Sequence, residues 1–313
     1  MSAVLITVTA AASTGIPGLC LRRGDVVEIQ GPSGSGKTHL LYHLICSCIL
    51  PLRLGGWNKI SVVFDTDGTF DIHRLQTLLR TRLPHSLLDE NTTERIISVA
   101  LRNVHTFRPK SSAQLAAGLA NLSLYHMRSL PTSEIALLAI DSASSFHWFD
   151  RLAAEQRHLI SLATPPPTPS NNPFQTILTA LWSFRRSHYP VILILNWGLG
   201  PFPAAGNFPA LQLYPLLFPH FPTIVNRASL FPDPSHTTPL FLTHQITLDL
   251  TRVVPSSHSA ADEQRSTSLG RQVDIHVHVK TAVDHAELLM QIHPEQVIIT
   301  APDVAYATDS EEQ

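Results

Sequence analysis

Two kinds of hydrophobic pattern alternate along the chain, and each predicts a different element. Short, almost continuous apolar runs predict buried strands, whereas apolar residues that recur every three or four positions predict helices with one packed face. The predicted strands are residues 26–30, 59–65, 96–104, 135–140, 191–195 and 273–280. The predicted helices are residues 39–45, 71–83, 111–127, 153–162 and 175–187. This alternation predicts an α/β fold with a mostly parallel central sheet and helices on both faces.

Two of these elements also indicate which side chains are buried. Helical spacing places an apolar stripe on the helix at 71–83, and its members are Ile72, Leu75, Leu78 and Leu79. Strict alternation in the strand at 273–280 puts His276 and His278 on one face, opposite the apolar residues. We predict that this face is solvated, with a metal or nucleic-acid contact as the alternative.

The distribution of proline and polar residues predicts one large domain. We expect a core over residues 14–302, preceded by a short extension at 1–13 and followed by an acidic tail at 303–313. Proline excludes a helix or a central strand at 164–173, which is therefore predicted to be an insertion. The stretch 255–270 is polar and is predicted to be a loop.

The overall composition limits the class of protein. The chain has 313 residues, of which 44% are hydrophobic and 15% charged, with a formal net charge of −2. This balance argues against an autonomous nucleic-acid binder, although a local basic patch remains compatible with it. No apolar run reaches the ~18 residues of a membrane span, and no secretory signal is recognisable. We therefore expect a soluble, intracellular protein. Cys46 and Cys48 lie two apart on one helix, so their side chains diverge and cannot form a disulfide, and Cys20 stands alone, which fits a reducing compartment.

The most informative motif is G-x-x-x-x-G-K-T, the phosphate-binding loop of P-loop proteins. Its residues are Gly31, Pro32, Ser33, Gly34, Ser35, Gly36, Lys37 and Thr38. Glycines allow the backbone N–H groups to point at phosphate oxygens, and the helix that follows contributes its positive N-terminal dipole. Lys37 is expected to reach the β- and γ-phosphates, and Thr38 to offer its hydroxyl to Mg²⁺. The motif therefore predicts ATP and Mg²⁺ as cofactors.

A second acid is expected to complete the metal site. Asp141 follows a run of apolar residues that predicts a buried strand. Such a strand would carry the carboxylate to the rim of the sheet, where it can hold a magnesium-bound water. We therefore assign Thr38 and Asp141 as the magnesium ligands.

Four segments together resemble the RecA/RadA-type recombinase family. They lie at residues 14–18, 31–38, 65–70 and 137–146, and the stretches 41–51 and 146–151 are most similar to a eukaryotic recombinase paralogue. The resemblance implies a RecA-like P-loop ATPase core. It also implies a nuclear role in homologous recombination and double-strand break repair. Other recombinase paralogue subunits, and single-stranded or branched DNA reached through the complex, are the implied partners.

The chain departs from the family pattern at two positions. Family members carry a water-orienting glutamate where this chain has Asp67, which is one methylene shorter. They also carry Asn-Gln at the end of a later strand, where this chain keeps Asn196 as a nucleotide-site residue but has Trp197 next. Indole donates one hydrogen bond and accepts none, so it cannot replace an amide. We expect Asp67 to be a weak catalytic group beside Lys37, with slow or absent hydrolysis.

The segment that should contact DNA is poor in cations. Between residues 187 and 251 the chain has no lysine and one arginine, Arg227. DNA affinity depends largely on neutralised phosphates, so direct DNA binding there should be weak. The apolar, proline-rich stretch 198–222 could be a core segment or a partner contact. Few residues precede the core, which argues against self-polymerisation. Binding at one end of a hetero-complex remains an alternative.

Other functions remain as alternatives. One is an active DNA-stimulated ATPase, and a less favoured one is a P-loop small-molecule kinase, because the insertion at 164–173 lacks the arginines of a kinase lid. A GTPase is disfavoured by the lack of an Asn-Lys-x-Asp motif. His39 and His43 have a metal-binding spacing, and Arg185 and Arg186 could cap a helix or bind phosphate.

Overall fold

The computed structural model describes residues 12–13, 16, 19–83, 89–150, 152–153, 156, 173–202, 210–213, 242–250, 273–281 and 285–301. The polar stretch 255–270, the tail at 303–313 and all but the last residue of the predicted insertion at 164–173 lie outside these residues. Most of the extension at 1–13 and of the predicted helix at 153–162 also lies outside them.

The described residues form strands and helices in the alternation that the sequence predicts. The strands are β1 Ala12–Ser13, β2 Cys20–Leu21, β3 Val26–Gly31, β4 Ile60–Asp65, β5 Val104–Phe107, β6 Ile135–Asp141, β7 Val191–Phe202, β8 Ala210–Leu213, β9 His244–Leu250, β10 Val273–Thr281, β11 His285–Ile292 and β12 Val297–Thr300. The helices are α1 Lys37–Ile49, α2 Ile72–Arg82, α3 Glu90–Leu101, α4 Ser112–Ala120, α5 Leu122–Ser129 and α6 Pro173–His188. None of these helices combines the length and apolar composition that crossing a lipid bilayer requires.

One large sheet organises the fold. Its strand order is β12-β11-β10-β9-β3-β7-β6-β4-β5, with β8 paired to β7. Neighbouring strands from β9 to β5 run parallel, whereas β10, β11 and β12 add an antiparallel edge. Parallel strands place their carboxyl ends at one rim, so the ends of β3, β4, β6 and β7 meet there. The mostly parallel sheet of the predicted RecA-like core is confirmed.

The sheet carries a hydrophobic layer on each face. Helices α1, α2 and α3 pack on one face against side chains such as Val27, Ile29 and Leu193. Helices α4 and α6 pack on the other face against alternate residues of the same strands, such as Val26 and Ile192. Each fully buried aliphatic side chain contributes about 1.5 to 3 kcal/mol. Burial on both faces holds the carboxyl rim rigidly, and the helices on both faces confirm the predicted layering.

The predicted strand at 96–104 is wrong, because most of it is helix. Asp89 caps α3 by accepting a hydrogen bond from the Thr92 backbone N–H at 3.1 Å. Buried residues then recur at helical spacing, at Thr93, Ile96, Ile97 and Ala100. The helix continues to Leu101, and the strand β5 begins only at Val104. The cap and the spacing therefore outweigh the β-propensity of the isoleucine pair.

Smaller differences concern element ends and one exposed residue. The helix predicted at 111–127 is divided at Asn121 into α4 and α5. Ile72 is 40% exposed and does not belong to the buried stripe of α2. Pro173 begins α6, where a missing N–H costs nothing. β7 runs on to Phe202 and pairs with β8, so part of the stretch 198–222 is antiparallel sheet.

Candidate nucleotide-binding site

The G-x-x-x-x-G-K-T loop connects β3 to α1 at the carboxyl rim of the sheet. Gly34 and Gly36 adopt φ values of 77° and 85°, in the left-handed region. At Gly36 an added Cβ would also lie 2.7 Å from Ile292 Cδ1 and 2.8 Å from Met290 Cε. The left-handed backbone therefore favours glycine at Gly36, and a side chain there would also force the ends of Ile292 and Met290 on β11 to shift. The loop opens directly into the N-terminus of α1.

Lys37 is held inside this loop. Its side chain donates to the Gly31 carbonyl at 2.9 Å and to the Pro32 carbonyl at 2.7 Å. Burial lowers the pKa of Lys37, and the nearby charges of Asp141 and Asp67 oppose that effect. A phosphate oxygen offered at the loop could replace either carbonyl as the acceptor of this ammonium group.

Thr38, at the start of α1, contacts Asp141, at the end of β6, as the sequence predicts. Thr38 Oγ1 donates to Asp141 Oδ2 at 2.9 Å. Burial raises the pKa of Asp141 to about 7; Asp67 and Asp65 add to the increase, while the Thr38 hydrogen bond and Lys37 oppose it. A cation placed between these groups would remove the cost of the buried charge.

A cavity of about 670 Å³ opens between these groups. Its volume lies within the range of small-molecule and cofactor sites. The predicted site residues that line it are Ser33, Gly34, Gly36, Lys37, Thr38, Asp67 and Asp141. Gly31, Pro32 and Ser35 belong to the loop but are not part of the lining. Trp197, which the family pattern singled out, also lines the cavity, as does His39, which the sequence indicated only for its metal-binding spacing. The sequence did not indicate the remaining lining residues, which are Tyr42, Thr69, Asp71, Arg74, Ile275 and Ile292.

The donor set fits magnesium. Thr38 and Asp141 offer hydroxyl and carboxylate oxygens, which hard divalent cations prefer. Within the described residues, no group of three or more His, Cys, Asp or Glu side chains could hold a metal ion. Mg²⁺ characteristically binds through one or two carboxylates together with substrate phosphates and waters. These two residues can therefore hold Mg²⁺ as part of a nucleotide complex.

Asp67 lines the same cavity as Lys37 and Asp141. Its Oδ1 accepts hydrogen bonds from the Thr69 N–H at 3.2 Å and from Thr69 Oγ1 at 2.7 Å. Asp67 is exposed, and its charge acts on both Lys37 and Asp141. The carboxylate is thus near the metal site, but a local turn already occupies one of its oxygens.

Asn196 and Trp197 point to different sides of the sheet. Asn196 Nδ2 donates to Glu28 Oε1 at 2.6 Å, and the residue is 2% exposed. It is not part of the cavity lining, because side chains alternate along β7 and the next residue takes the cavity side. Trp197 lines the cavity, is 42% exposed, and donates its backbone N–H to Ser144 Oγ at 3.1 Å. An indole therefore stands where an amide was expected from the family pattern.

An ion pair beside the cavity was not predicted. Asp65 has a fully buried carboxylate, and Arg108 Nε donates to its Oδ2 at 3.0 Å. Asp65 ends β4, and Arg108 follows β5, the strand that pairs with β4. Charged residues at the ends of two adjacent strands were the available signal, but the pairing of these strands is not visible in the sequence.

The other singled-out residues have structural partners. His43 contacts the Arg82 guanidinium, with nitrogen–nitrogen distances of 2.6 and 2.7 Å. A cationic guanidinium at both ring nitrogens argues against a metal ion bound to His43. Arg185 Nε donates to the Gly24 carbonyl at 2.6 Å, and the Arg186 guanidinium lies 5.3 Å from the Trp182 ring. The Arg185 bond ties α6 to the turn before β3, the Arg186 contact lies within α6, and the two arginines do not form a phosphate patch.

The histidine pair of β10 lies on the face opposite the core. His276 and His278 are at least partly solvent-accessible, whereas Ile275, Val277 and Val279 are buried. His278 Nδ1 lies 3.5 Å from Glu287 Oε1 on β11. The predicted alternation of this strand is confirmed.

Comparison with known proteins gives a match to the part of the chain that contains the phosphate-binding loop, Asp67 and Asp141. Residues 4–158 match the family model described as Rad51. The chain is 41% identical to the DNA repair protein XRCC2 of Mus musculus over 133 residues, which cover 42% of this chain and 44% of that protein. It is 30% identical over 165 residues to the XRCC2 homolog of Arabidopsis thaliana, which cover 43% of this chain and 44% of that protein.

A relative with lower sequence identity is also a DNA repair protein. The chain is 29% identical over 145 residues to the DNA repair protein RAD51 homolog 2 of Mus musculus. That match covers 46% of this chain and 38% of the relative. The matched region thus spans less than half the length of each of these relatives.

Proposed function

We propose, from the premise that residues 4–158 carry a Rad51 family domain, that this chain is an ATP-binding recombinase paralogue. Its role would be in homologous recombination and double-strand break repair, in the nucleus. It would act as a subunit of a paralogue complex that helps a recombinase on single-stranded DNA. Residues 14–302 would form one ATP-binding core, and the complex would supply most of the contact with single-stranded or branched DNA.

One observation carries the proposal. Lys37 and Thr38 are neighbours at the start of α1, Asp141 lies 103 positions after Thr38, and all three line one cavity of about 670 Å³. In the proposed complex the loop amides and Lys37 hold the phosphates, while Thr38 and Asp141 hold Mg²⁺. The ion supplies charge neutralisation for the phosphates when bound, and the buried Asp141 carboxylate gains a counter-charge.

We propose that ATP acts mainly as a structural ligand. Asp67 is short for a water-orienting group and is engaged with Thr69, and Trp197 lacks the amide expected at its position. A water displaced by about 1 Å can lower the rate of attack by about 10²-fold. Hydrolysis is therefore expected to be slow or absent, while binding remains intact.

Thermal unfolding with and without Mg-ATP tests the binding site. A ligand present at 100 times its Kd stabilises the native state by about 2.7 kcal/mol. For a chain of this size, that corresponds to an increase in Tm of roughly 4 °C. We expect this increase in the wild type and its loss in Lys37→Ala.

The matched control is Lys59→Ala, which removes a lysine paired with Glu134 at 2.8 Å, away from the cavity. This variant should keep the full shift with Mg-ATP. An unchanged Tm in the wild type, or equal shifts in the wild type and Lys37→Ala, would contradict the proposal.

The second candidate is an active DNA-stimulated ATPase, which the position of Asp67 in the cavity lining favours. This candidate predicts phosphate release that increases with single-stranded DNA and is lost in Asp67→Asn. If ATP binds but single-stranded DNA does not change the rate of phosphate release, the result would favour ATP as a structural ligand.

A further inference from the structure

We propose that Arg108 is a positioning residue that fixes the loop carrying Asp67 beside the nucleotide cavity. The inference rests on the proposed nucleotide site, and it assigns a role to a residue outside every motif of the sequence. Arg108 does not line the cavity, so its effect must act through the loop at residues 65–70.

Arg108 contacts both ends of this loop. Its Nε donates to Asp65 Oδ2 at 3.0 Å, where the loop leaves β4, and its Nη2 donates to the Phe70 carbonyl at 3.4 Å, where the loop approaches α2. Between these two points lie Asp67 and Thr69, which line the cavity. One guanidinium therefore spans the loop, as only a planar group with several donors can.

The Asp65 carboxylate passes this restraint to the middle of the loop. Its Oδ1 accepts a hydrogen bond from the Gly68 N–H at 2.9 Å, directly after Asp67. Gly68 has a φ of 78°, so the backbone turns sharply at this residue. The Asp67 side chain is consequently placed by a chain of contacts that runs from Arg108 through Asp65 to Gly68.

A second set of contacts holds the loop from the side of β6. The Thr66 N–H donates to the Asp141 carbonyl at 2.8 Å, and Thr66 Oγ1 donates to the Ser142 carbonyl at 2.7 Å. These contacts fix the loop to the metal-site strand but reach only its first turn. Arg108 restrains the far side, where Phe70 packs on the Tyr42 ring and the Asp71 N–H donates to the Tyr42 hydroxyl at 2.7 Å.

The charge balance indicates why this position needs a cation. The Asp65 side chain is completely buried, and it forms an ion pair with Arg108. The Arg108 side chain is 56% exposed. Removal of one partner leaves a buried charge without compensation, and the surrounding backbone then rearranges. The Arg108 side chain itself is accessible, so its truncation leaves no cavity in the hydrophobic core.

Hydrogen exchange measured by mass spectrometry on the full chain tests the proposal without depending on hydrolysis. In Arg108→Ala, amide exchange at residues 66–69 should accelerate by about tenfold or more, while exchange in α1 should be unchanged. The affinity for mant-ATP with Mg²⁺ should fall by about threefold to tenfold, since the wall formed by Asp67 and Thr69 is no longer fixed. Arg108→Lys restores the charge but not the second donor, and should recover only part of both effects.

Arg80→Ala is the matched control, because Arg80 also pairs with one acid, Glu94, but on α2 away from the loop. It should alter neither loop exchange nor mant-ATP affinity. Normal exchange at residues 66–69 in Arg108→Ala, or acceleration equal to that in Arg80→Ala, would overturn the proposal. If Lys37→Ala still binds mant-ATP, the proposed function fails, whereas the exchange result still decides whether Arg108 orders the loop.

Discussion

Thr38 Oγ1 donates a hydrogen bond of 2.9 Å to Asp141 Oδ2, although 103 residues separate the two along the chain. The bond joins the first turn of α1 to the end of β6, and thus connects the phosphate-binding loop to the second acid of the site. A magnesium ion bound there would take the hydroxyl and the carboxylate as neighbouring ligands, so the hydrogen bond marks where the metal should sit.

This arrangement predicts that nucleotide binding depends on pH. Burial raises the pKa of Asp141 to about 7. Because Mg²⁺ needs the deprotonated carboxylate, each pH unit below that pKa should weaken Mg-nucleotide binding by up to about tenfold. Binding of mant-ATP with Mg²⁺ should be titrated at several pH values from about 6 to about 8. The affinity should increase as the pH increases and level off above the pKa of Asp141.

The stability of the nucleotide-free protein should change with the opposite sign. The folded pKa of Asp141 lies above its unfolded value of 3.8. The stability associated with this group is therefore complete at acid pH and is lost as the pH increases toward about 7. Asp141→Asn should remove both dependences; a wild-type affinity that is flat over this range would contradict the assignment.

The two left-handed glycines of the loop should respond differently to alanine. Gly34→Ala places its Cβ in open space and should cost only about 1 to 2 kcal/mol of backbone strain. Gly36→Ala adds contacts below 3 Å with the flexible side-chain ends of Ile292 and Met290, which can shift, so it should cost about 1 kcal/mol more than Gly34→Ala and weaken mant-ATP binding further. Urea unfolding of the two variants measures the difference, and equal losses would contradict the close packing of β11 on the loop.

Hydrolysis should be recoverable at the two positions that depart from the family pattern. Trp197→Gln restores an amide beside the cavity, and Asp67→Glu restores the missing methylene. We expect the double variant to release phosphate at least about tenfold faster than the wild type under single-turnover conditions. Each single variant should gain less, and a double variant as slow as the wild type would show that other residues limit the reaction.

A packing prediction concerns α4. A Cβ at Gly118 would lie 2.8 Å from Phe64 Cε1, and Phe64 is stacked on Phe107 with ring centroids 5.2 Å apart. Alanine gains about 1 kcal/mol in helix propensity but overpacks this ring at a cost of about 1 to 3 kcal/mol. Gly118→Ala should therefore lower the free energy of unfolding by about 1 kcal/mol, whereas Ala117→Ser on the exposed face should change it little.

The sequence predicted the parts of the site that depend on local patterns. The loop at residues 31–38 is contiguous, and Asp141 directly follows an unmistakable apolar run, so both could be assigned without knowing how strands pair. The contact of Arg108 with the loop at 65–70 could not be predicted from the sequence, because it depends on the pairing of β4 with β5. Residues Tyr42, Arg74 and Ile275 reach the cavity for a similar reason, since three separate elements bring them together.

The errors have comparable physical causes. In the stretch 96–104, two adjacent isoleucines suggested a strand, but the Asp89 cap and the buried spacing that follows favour a helix. For Asn196 the sequence indicated the correct strand but not the side of the sheet, and β7 continues past this residue to Phe202. Side-chain direction alternates with each residue, and only the register of β7 against β3 determines it.

The position of β3 has a consequence for protein synthesis. β3 lies between β7 and β9, and hydrogen-bonded partners on β3 and β9 are separated by 217 residues. At 5 to 20 residues per second, the ribosome takes roughly 10 to 40 s to deliver β9 after the phosphate-binding loop has emerged. Throughout that interval the strand leading into the loop has an unpaired backbone edge, which makes the nascent chain a substrate for chaperones until its last third is translated.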